Sequence, residues 1–197
     1  MLNPNAMLMK RRNFLLATLA AAPAAALANS VPRFLAGSAD ERTARSFSVA
    51  AGQSRFQEKT LVGNNPNDIK ISSKDTGGEL TVFEYTGLAK GGPSLHMHLY
   101  QDETFYVLAG EYLFVVGEEQ RKLKPGDTIF LPRQIPHTWT QLTTTGKLLY
   151  FMNPSGKMEE FFRARPTGQT APTPQEKEQF YLAHGMKWLG PPLPVKS

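Results

Sequence analysis

Two stretches decide the fold: Gly91-Gly-Pro-Ser-Leu-His96-Met-His98-Leu-Tyr-Gln-Asp-Glu103, and Gly126-Asp-Thr-Ile-Phe-Leu-Pro132-Arg-Gln-Ile-Pro-His137. Side chains alternate between the two faces of a strand, so His96 and His98 point to the same face. Glu103 is in phase with the apolar Phe105 and Val107, so we expect its carboxylate to point inward. A buried carboxylate needs a partner, and a metal ion is one.

These histidines and this glutamate form a candidate metal site. Three imidazoles and one carboxylate suit a borderline divalent transition metal, and the ligand types leave Mn, Fe, Co, Ni, Cu and Zn open. A barrel with an empty site is the alternative. The neighbouring Asp102 points to the other face of its strand and is interpreted as solvated. His184 stands alone on a predicted helix and is interpreted as a packing or surface residue. The expected ligands are His96, His98, Glu103 and His137.

Most of the chain consists of short apolar segments separated by turns. This pattern predicts an all-β sandwich or barrel. Residues 63–68 are interpreted as a loop and 75–78 as a turn. Strands are predicted over 46–50, around 69–71, and over 79–86, 94–99, 103–108, 112–116, 127–131, 137–142 and 147–153.

The pattern becomes helical after residue 153. Apolar residues at helical spacing predict one short helix over 158–165. Thr173, Pro174 and Glu176 form a capping-box start for a second, which ends at Gly185. We expect the apolar tail, 186–193, to pack on the barrel or on a partner subunit.

The two motifs resemble those of the cupin superfamily: a glycine, His-x-His, a glutamate and a glycine, then a glycine, a proline and a histidine. Gly110, Gly126 and Pro132 complete them around the four expected ligands. The resemblance implies a jelly-roll barrel (a double-stranded β-helix) with short C-terminal helices and the metal inside. It places the family's four ligands on the same four residues. The chain departs from the usual residues at Lys90, Gln134 and Gln141, none of which is a ligand position.

The N-terminal residues are typical of an export signal. Lys10, Arg11 and Arg12 precede an apolar, alanine-rich stretch that ends at Ala28. The arginine pair resembles a twin-arginine signal, and we expect export, to a bacterial periplasm. The stretch is too short for a good membrane span, although an uncleaved anchor is the alternative. Translation could start at the first, second or third methionine. The predicted organisation is signal 1–28, linker or arm 29–43, barrel 44–153, and C-terminal helices and tail 154–197.

Charge and cysteine content exclude several classes of function. The formal net charge is +5, but without the three basic signal residues 19 basic and 17 acidic residues remain. No long basic run is left, so we expect no nucleic-acid partner. The sequence contains no cysteine, which excludes disulfides, iron–sulfur clusters and thiol nucleophiles.

Within the cupins, residues 80–193 are most similar to single-domain quercetin 2,3-dioxygenase-like proteins, including the Glu159-Glu-Phe-Phe162 helix and the Gly185–Leu193 tail. The resemblance implies oxidative ring opening of a flavonol or another enolisable aromatic, with dioxygen as second substrate. Glu103 would then be both ligand and proton acceptor.

Aromatic residues near the motifs are candidates for substrate binding. Trp139 and Gln141 follow His137 in steps of two, so they share its face and are expected to line the cavity. Phe83 and Tyr85 are candidates for an aromatic wall. Core filling is the alternative for Trp139.

Other functions remain open at this point. One is a non-catalytic periplasmic cupin that captures a small ligand or a metal. Another is a cupin isomerase or decarboxylase, which needs no dioxygen. We also expect a homodimer, because barrel cupins commonly pair through strand edges.

Overall fold

Two antiparallel sheets make up most of the computed structural model, which describes residues 42–164 and 172–194. The predicted signal and most of the predicted arm lie outside these residues. One sheet has the strand order β1-β2-β3-β10-β5-β8, and the other has the order β11-β4-β9-β6-β7. The strands are β1 (Leu61–Val62), β2 (Asn65–Ile71), β3 (Thr81–Gly87), β4 (Ser94–His98), β5 (Asp102–Ala109), β6 (Tyr112–Val116), β7 (Glu119–Leu123), β8 (Thr128–Leu131), β9 (His137–Gln141), β10 (Gly146–Asn153) and β11 (Met186–Pro192). The helices are α1 (Ser73–Thr76), α2 (Met158–Arg163) and α3 (Pro174–Ala183).

The core lies between the two sheets and is rich in aromatic side chains. Alternate residues of β3 and β10 point into it, as strand geometry requires. The rings of Phe83 and Phe105 stack on opposite sides of Tyr150, with centroid distances of 4.9 and 5.0 Å. This arrangement confirms the prediction of an all-β barrel with short helices.

Three local predictions need correction, and strand β7 was not predicted. Residues 46–50 form no strand, and Phe47 instead lies under the Arg55 guanidinium. Residues 65–68 belong to β2 rather than to a loop, because Asn65 pairs with Val62 across a two-residue turn. The turn predicted over 75–78 includes the end of α1. The sequence reading also missed β7, whose charged Glu-Gln-Arg-Lys run pairs with β6 at the sheet edge and shows no apolar alternation.

The C-terminal segment folds back onto the barrel. Thr173 caps α3 through the predicted capping box with Glu176. The tail forms β11, which pairs with β4 so that Met186 lies opposite His98 and Trp188 lies opposite His96. The tail therefore packs on its own barrel, beside the strand that carries two expected ligands. Within the described ranges, no helix is long and apolar enough to cross a membrane.

Candidate metal centre

Three strands bring the four expected ligands together in the barrel interior. His96 and His98 lie on β4, and His96 pairs with His137, the first residue of the neighbouring β9. Glu103 lies on β5 of the facing sheet. All four side chains are buried, and their candidate ligand atoms lie within 4.8 Å of one another. Two sequence motifs far apart in the chain thus form one cluster.

Backbone carbonyls orient two of the imidazoles. The Nδ1 atom of His96 lies 2.8 Å from the carbonyl of Ser94, and that of His137 lies 2.9 Å from the carbonyl of Ile135. A carbonyl only accepts hydrogen bonds, so both Nδ1 atoms carry the proton. The lone pair is then on Nε2, as in histidine ligands oriented by a backbone acceptor.

The cluster gathers electron-pair donors around a common point. Oε2 of Glu103 lies 3.3 Å from Nε2 of His137 and 3.6 Å from Nε2 of His98. Burial acts to raise the pKa of Glu103, but the close contacts with His137 and His98 outweigh it and hold that pKa well below its usual range. Burial lowers the pKa of His96 well below its ordinary value, with the neighbouring imidazoles adding to the effect. It also lowers the pKa of His98, against an opposing effect of Glu103.

A bound cation would satisfy this arrangement. Both ring nitrogens of His98 and Nε2 of His137 are buried without a hydrogen-bond partner among the described residues. Leaving such a group unsatisfied costs about 1–3 kcal/mol. An ionised carboxylate facing imidazole lone pairs also needs a positive charge between them. The nitrogen and oxygen donors fit a borderline transition metal, so the residues present suit the expected ion.

A cavity of about 180 Å³ opens beside the cluster. The sheets contribute three aromatic residues to its wall, and helices α2 and α3 contribute three more. Met158 and Met186 complete the apolar surface. The aromatic lining residues are Phe105, Trp139, Tyr150, Phe161, Phe162 and Tyr181.

The predicted substrate-binding residues separate into two groups. Trp139 lines the cavity, as its strand phase predicted. Phe83, Tyr85 and Gln141 do not line it and pack in the core behind it. These side chains point into the barrel, as predicted, but they lie too far from the cavity to line it. Inward-pointing residues two apart on a strand occupy successive layers of the barrel, and the sequence does not show which layer holds the cavity. A substrate role for these four residues stays a prediction.

Tyr85 and Gln141, which lie behind the cavity, stabilise the core by packing. Tyr85 contacts Trp139 edge to face at 5.0 Å, and burial raises the pKa of Tyr85 to about 12, so its hydroxyl stays protonated. The Gln141 carboxamide donates to the carbonyl of Thr143 at 2.9 Å. The Gln141 side chain packs directly against Gly87. A Cβ at Gly87 would lie 1.6 Å from the Gln141 side-chain oxygen, so this position requires glycine.

Sequence reasoning missed the residues that reach the cavity from the C-terminal helices. Phe161, Phe162 and Tyr181 were placed on helices, and the apolar spacing of α2 showed that one face must be buried. Nothing in the local pattern indicates which surface that face covers, so the link to the site comes from the tertiary structure. His184 packs against Phe180 and Phe161 and lies outside the cluster, in agreement with its interpretation.

The fold and the buried cluster are those of a cupin domain. Residues 85–152 match the family model described as Cupin domain. This match covers β3 to β10 almost entirely and includes all four candidate ligands.

Two curated proteins are similar to parts of the chain. Quercetin 2,3-dioxygenase of Bacillus subtilis is 30% identical over 107 residues, which is 54% of this chain and 31% of that protein. An uncharacterized protein of Methanocaldococcus jannaschii is 40% identical over 43 residues, 22% of this chain and 34% of that protein. The chain thus spans about a third of the length of the curated relatives it matches.

Parts of the chain are also similar to solved structures. KdgF from a Halomonas species is 19% identical, with a TM-score of 0.44, covering 56% of this chain and 94% of that one. An RmlC-like cupin from Shewanella frigidimarina is 23% identical, with a TM-score of 0.40, covering 55% of this chain and 95% of that one.

Proposed function

We propose that this cupin is a metal-dependent dioxygenase that acts on a flavonol-like or other enolisable aromatic substrate. The observation that carries the proposal is the cavity, in which a cluster of three histidines and one glutamate faces an aromatic wall. Sites of this kind, apolar with a few convergent polar groups, are typical of small-molecule binding. The similarity to quercetin 2,3-dioxygenase of Bacillus subtilis supports the reaction class.

The four buried residues of the cluster would hold one divalent transition metal. When bound, such an ion supplies Lewis acidity toward a substrate oxygen and open positions for substrate and dioxygen. The orientation of His96 and His137 by backbone carbonyls keeps their Nε2 atoms directed at the centre without reorganisation.

The chain's own residues would bind the ring and handle its proton. Phe105 and Trp139 offer apolar aromatic surfaces in the cavity wall and exclude water from the ring. The lowered pKa of Glu103 means that its carboxylate is ionised at neutral pH. Glu103 is therefore in the state that can accept the proton of an enolic hydroxyl.

Dioxygen uptake tests the proposal. Metal-loaded full-length protein is offered enolisable aromatics ranging from single-ring α-hydroxyketones and catechol to flavonol. We expect uptake that matches product formation, lost in Glu103→Ala and kept in Asp102→Ala. Asp102 is the matched control, because this carboxylate is adjacent in sequence but pairs with Arg133 on the outer face.

Other outcomes distinguish the alternative functions. Ligand affinity without any product would favour a binding protein over an enzyme. Turnover without dioxygen would favour an isomerase or decarboxylase. Either result would contradict the dioxygenase assignment.

A further inference from the structure

We infer that the cavity is a size filter that accepts single-ring enolisable compounds and excludes three-ring flavonols, with helices α2 and α3 setting the limit. The inference rests on the proposed function and narrows its substrate class. It comes from the volume of the cavity, the rigidity of its two walls and the chemistry of its lining.

The volume is the first observation. The cavity measures about 180 Å³. An engineered protein cavity of about 150 Å³ holds one benzene molecule, whereas pockets for drug-sized ligands measure about 300–1,000 Å³. One substituted ring therefore fits beside the metal ligands, whereas a flavonol exceeds this volume.

The sheet side of the cavity cannot move easily. Phe105 stacks on Tyr150 at 5.0 Å and meets Trp139 at 6.2 Å. All three side chains are buried in the core, so displacing one disturbs close-packed neighbours. A larger ligand must find its space on the opposite side.

Helix α2 forms part of that opposite side and is anchored by a buried carboxylate. Glu159 accepts hydrogen bonds from the hydroxyls of Ser72 and Thr81, at 3.0 and 3.2 Å, which join α2 to the cap of α1 and to β3. Arg163 donates to Glu159 at 2.7 Å and also binds Glu58. Breaking such a buried network is costly, so Phe161 and Phe162 are held in place.

Helix α3 completes the wall beside the metal ligands. The ring of Tyr181 lies 6.2 Å from that of His96 and 5.1 Å from that of Phe161. The helix leads directly into β11, which is paired with β4. Tyr181 is thus the residue of α3 that lines the cavity beside the ligand cluster, and its side chain is partly exposed.

The lining chemistry favours an uncharged ring. No lysine or arginine from the described ranges lines the cavity, and the surface around the ring is aromatic with two methionines. A charged substituent at the far end of the ring would be desolvated without a counter-charge. The expected ligands are small rings whose polar atoms are all near the metal.

Two ligands that share one chelating group test the filter. Maltol and flavonol both carry an α-hydroxyketone, but maltol has one ring and flavonol has three. Binding to full-length protein loaded with Co²⁺ is measured by calorimetry and by the visible Co²⁺ spectrum, without dioxygen so that nothing is consumed. We expect maltol to bind the wild type on the order of tenfold more tightly than flavonol.

Wall variants locate the filter. Tyr181→Leu should bring the flavonol affinity to about that of maltol. Phe180→Leu is the matched control, because Phe180 neighbours Tyr181 on α3 but does not line the cavity, and it should keep the selectivity. Phe162→Leu opens the α2 side and replaces Tyr181→Leu if that variant does not fold.

The outcomes separate this inference from the proposed function. Wild-type protein that binds flavonol as tightly as maltol would overturn the filter and leave the dioxygenase proposal intact. Unchanged selectivity in both Tyr181→Leu and Phe162→Leu would overturn the role of the helices. Binding of neither compound to the Co²⁺ protein would overturn the proposed function and the inference with it.

Discussion

The four candidate ligand residues are fixed by their surroundings to different degrees. His96 and His137 each have an Nδ1 atom held by a backbone carbonyl. Both ring nitrogens of His98 have no hydrogen-bond partner in the described part of the chain. Each unsatisfied buried group costs the folded chain about 1–3 kcal/mol, and a bound ion would remove this cost for the one nitrogen of His98 that it contacts. Metal binding should consequently stabilise the fold, by the linkage between ligand binding and unfolding.

A glycine beside the cluster gives a sharp test of this geometry. A Cβ at Gly92 would lie 1.8 Å from the backbone carbonyl oxygen of Trp139, so Gly92→Ala must push the start of β4 away from β9. Because His96 and His137 face each other across these strands, we expect metal affinity to fall about 10–100-fold, as for the loss of a supporting contact. Competition with a chromophoric chelator measures this change.

The control for that variant is another glycine near β4. A Cβ at Gly190 has its nearest neighbour 3.9 Å away, in ordinary contact with Leu95. Gly190→Ala should therefore keep the wild-type affinity. An unaltered affinity in Gly92→Ala would show that the β4–β9 spacing does not determine the site.

At the scale of elements, the sequence predicted strands correctly where one face of the strand is buried and the other is exposed. The motif strands β4 and β5 and the alternation of Phe83 and Tyr85 in β3 follow directly from such patterns. The prediction failed where pairing, not burial, defines the strand, as for the charged edge strand β7. It also failed at 46–50, where alternation exists without a partner strand. Depth in the barrel, as for Gln141, is set by the tertiary structure and leaves no local signal.

An ion pair between Asp102 and Arg133 helps to hold the loop between β8 and β9, and its strength should change with pH. Asp102 accepts hydrogen bonds from the backbone and guanidinium of Arg133, at distances between 2.6 and 3.1 Å, and this loop leads to His137. These contacts hold the pKa of Asp102 below its ordinary value. Arg133 is 42% exposed, so solvent screening limits the pair to about 0.5–1 kcal/mol.

The sign of the pH effect follows from that lowered pKa. The stabilisation is fully present above the unfolded-state pKa of about 3.9 and is lost as the pH falls through the lower folded-state pKa. Urea unfolding of wild type and Asp102→Asn should differ in free energy at neutral pH and converge in acid. A difference that persists at low pH would contradict this assignment.

At the scale of the whole molecule, the unequal strand edges bear on assembly. Edge strand β7 is rich in charged residues, which discourages pairing with another chain. Edge strand β8, Thr-Ile-Phe-Leu, has no charge, and Phe130 is 58% exposed. The tail pairs with β4 of its own chain.

We therefore predict that residues 29–197, the form expected after export, are a homodimer that involves the β8 edge. Phe130→Lys should lower the mass measured by light scattering to that of a monomer. Leu88→Lys, at a residue 63% exposed in a loop, should remain dimeric. A monomeric wild type would remove the prediction.

The metal content of the purified protein tests the central claim most directly. Elemental analysis compares wild type with His96→Ala, and His184→Ala serves as a control because His184 lies outside the cluster. We expect close to one transition-metal ion per chain in wild type and in His184→Ala, and none in His96→Ala. Iron, manganese, cobalt, nickel or copper would suit dioxygen chemistry, whereas zinc would point away from it. No metal in any of the three proteins, even after reconstitution, would contradict the metal centre and the dioxygenase proposal built on it.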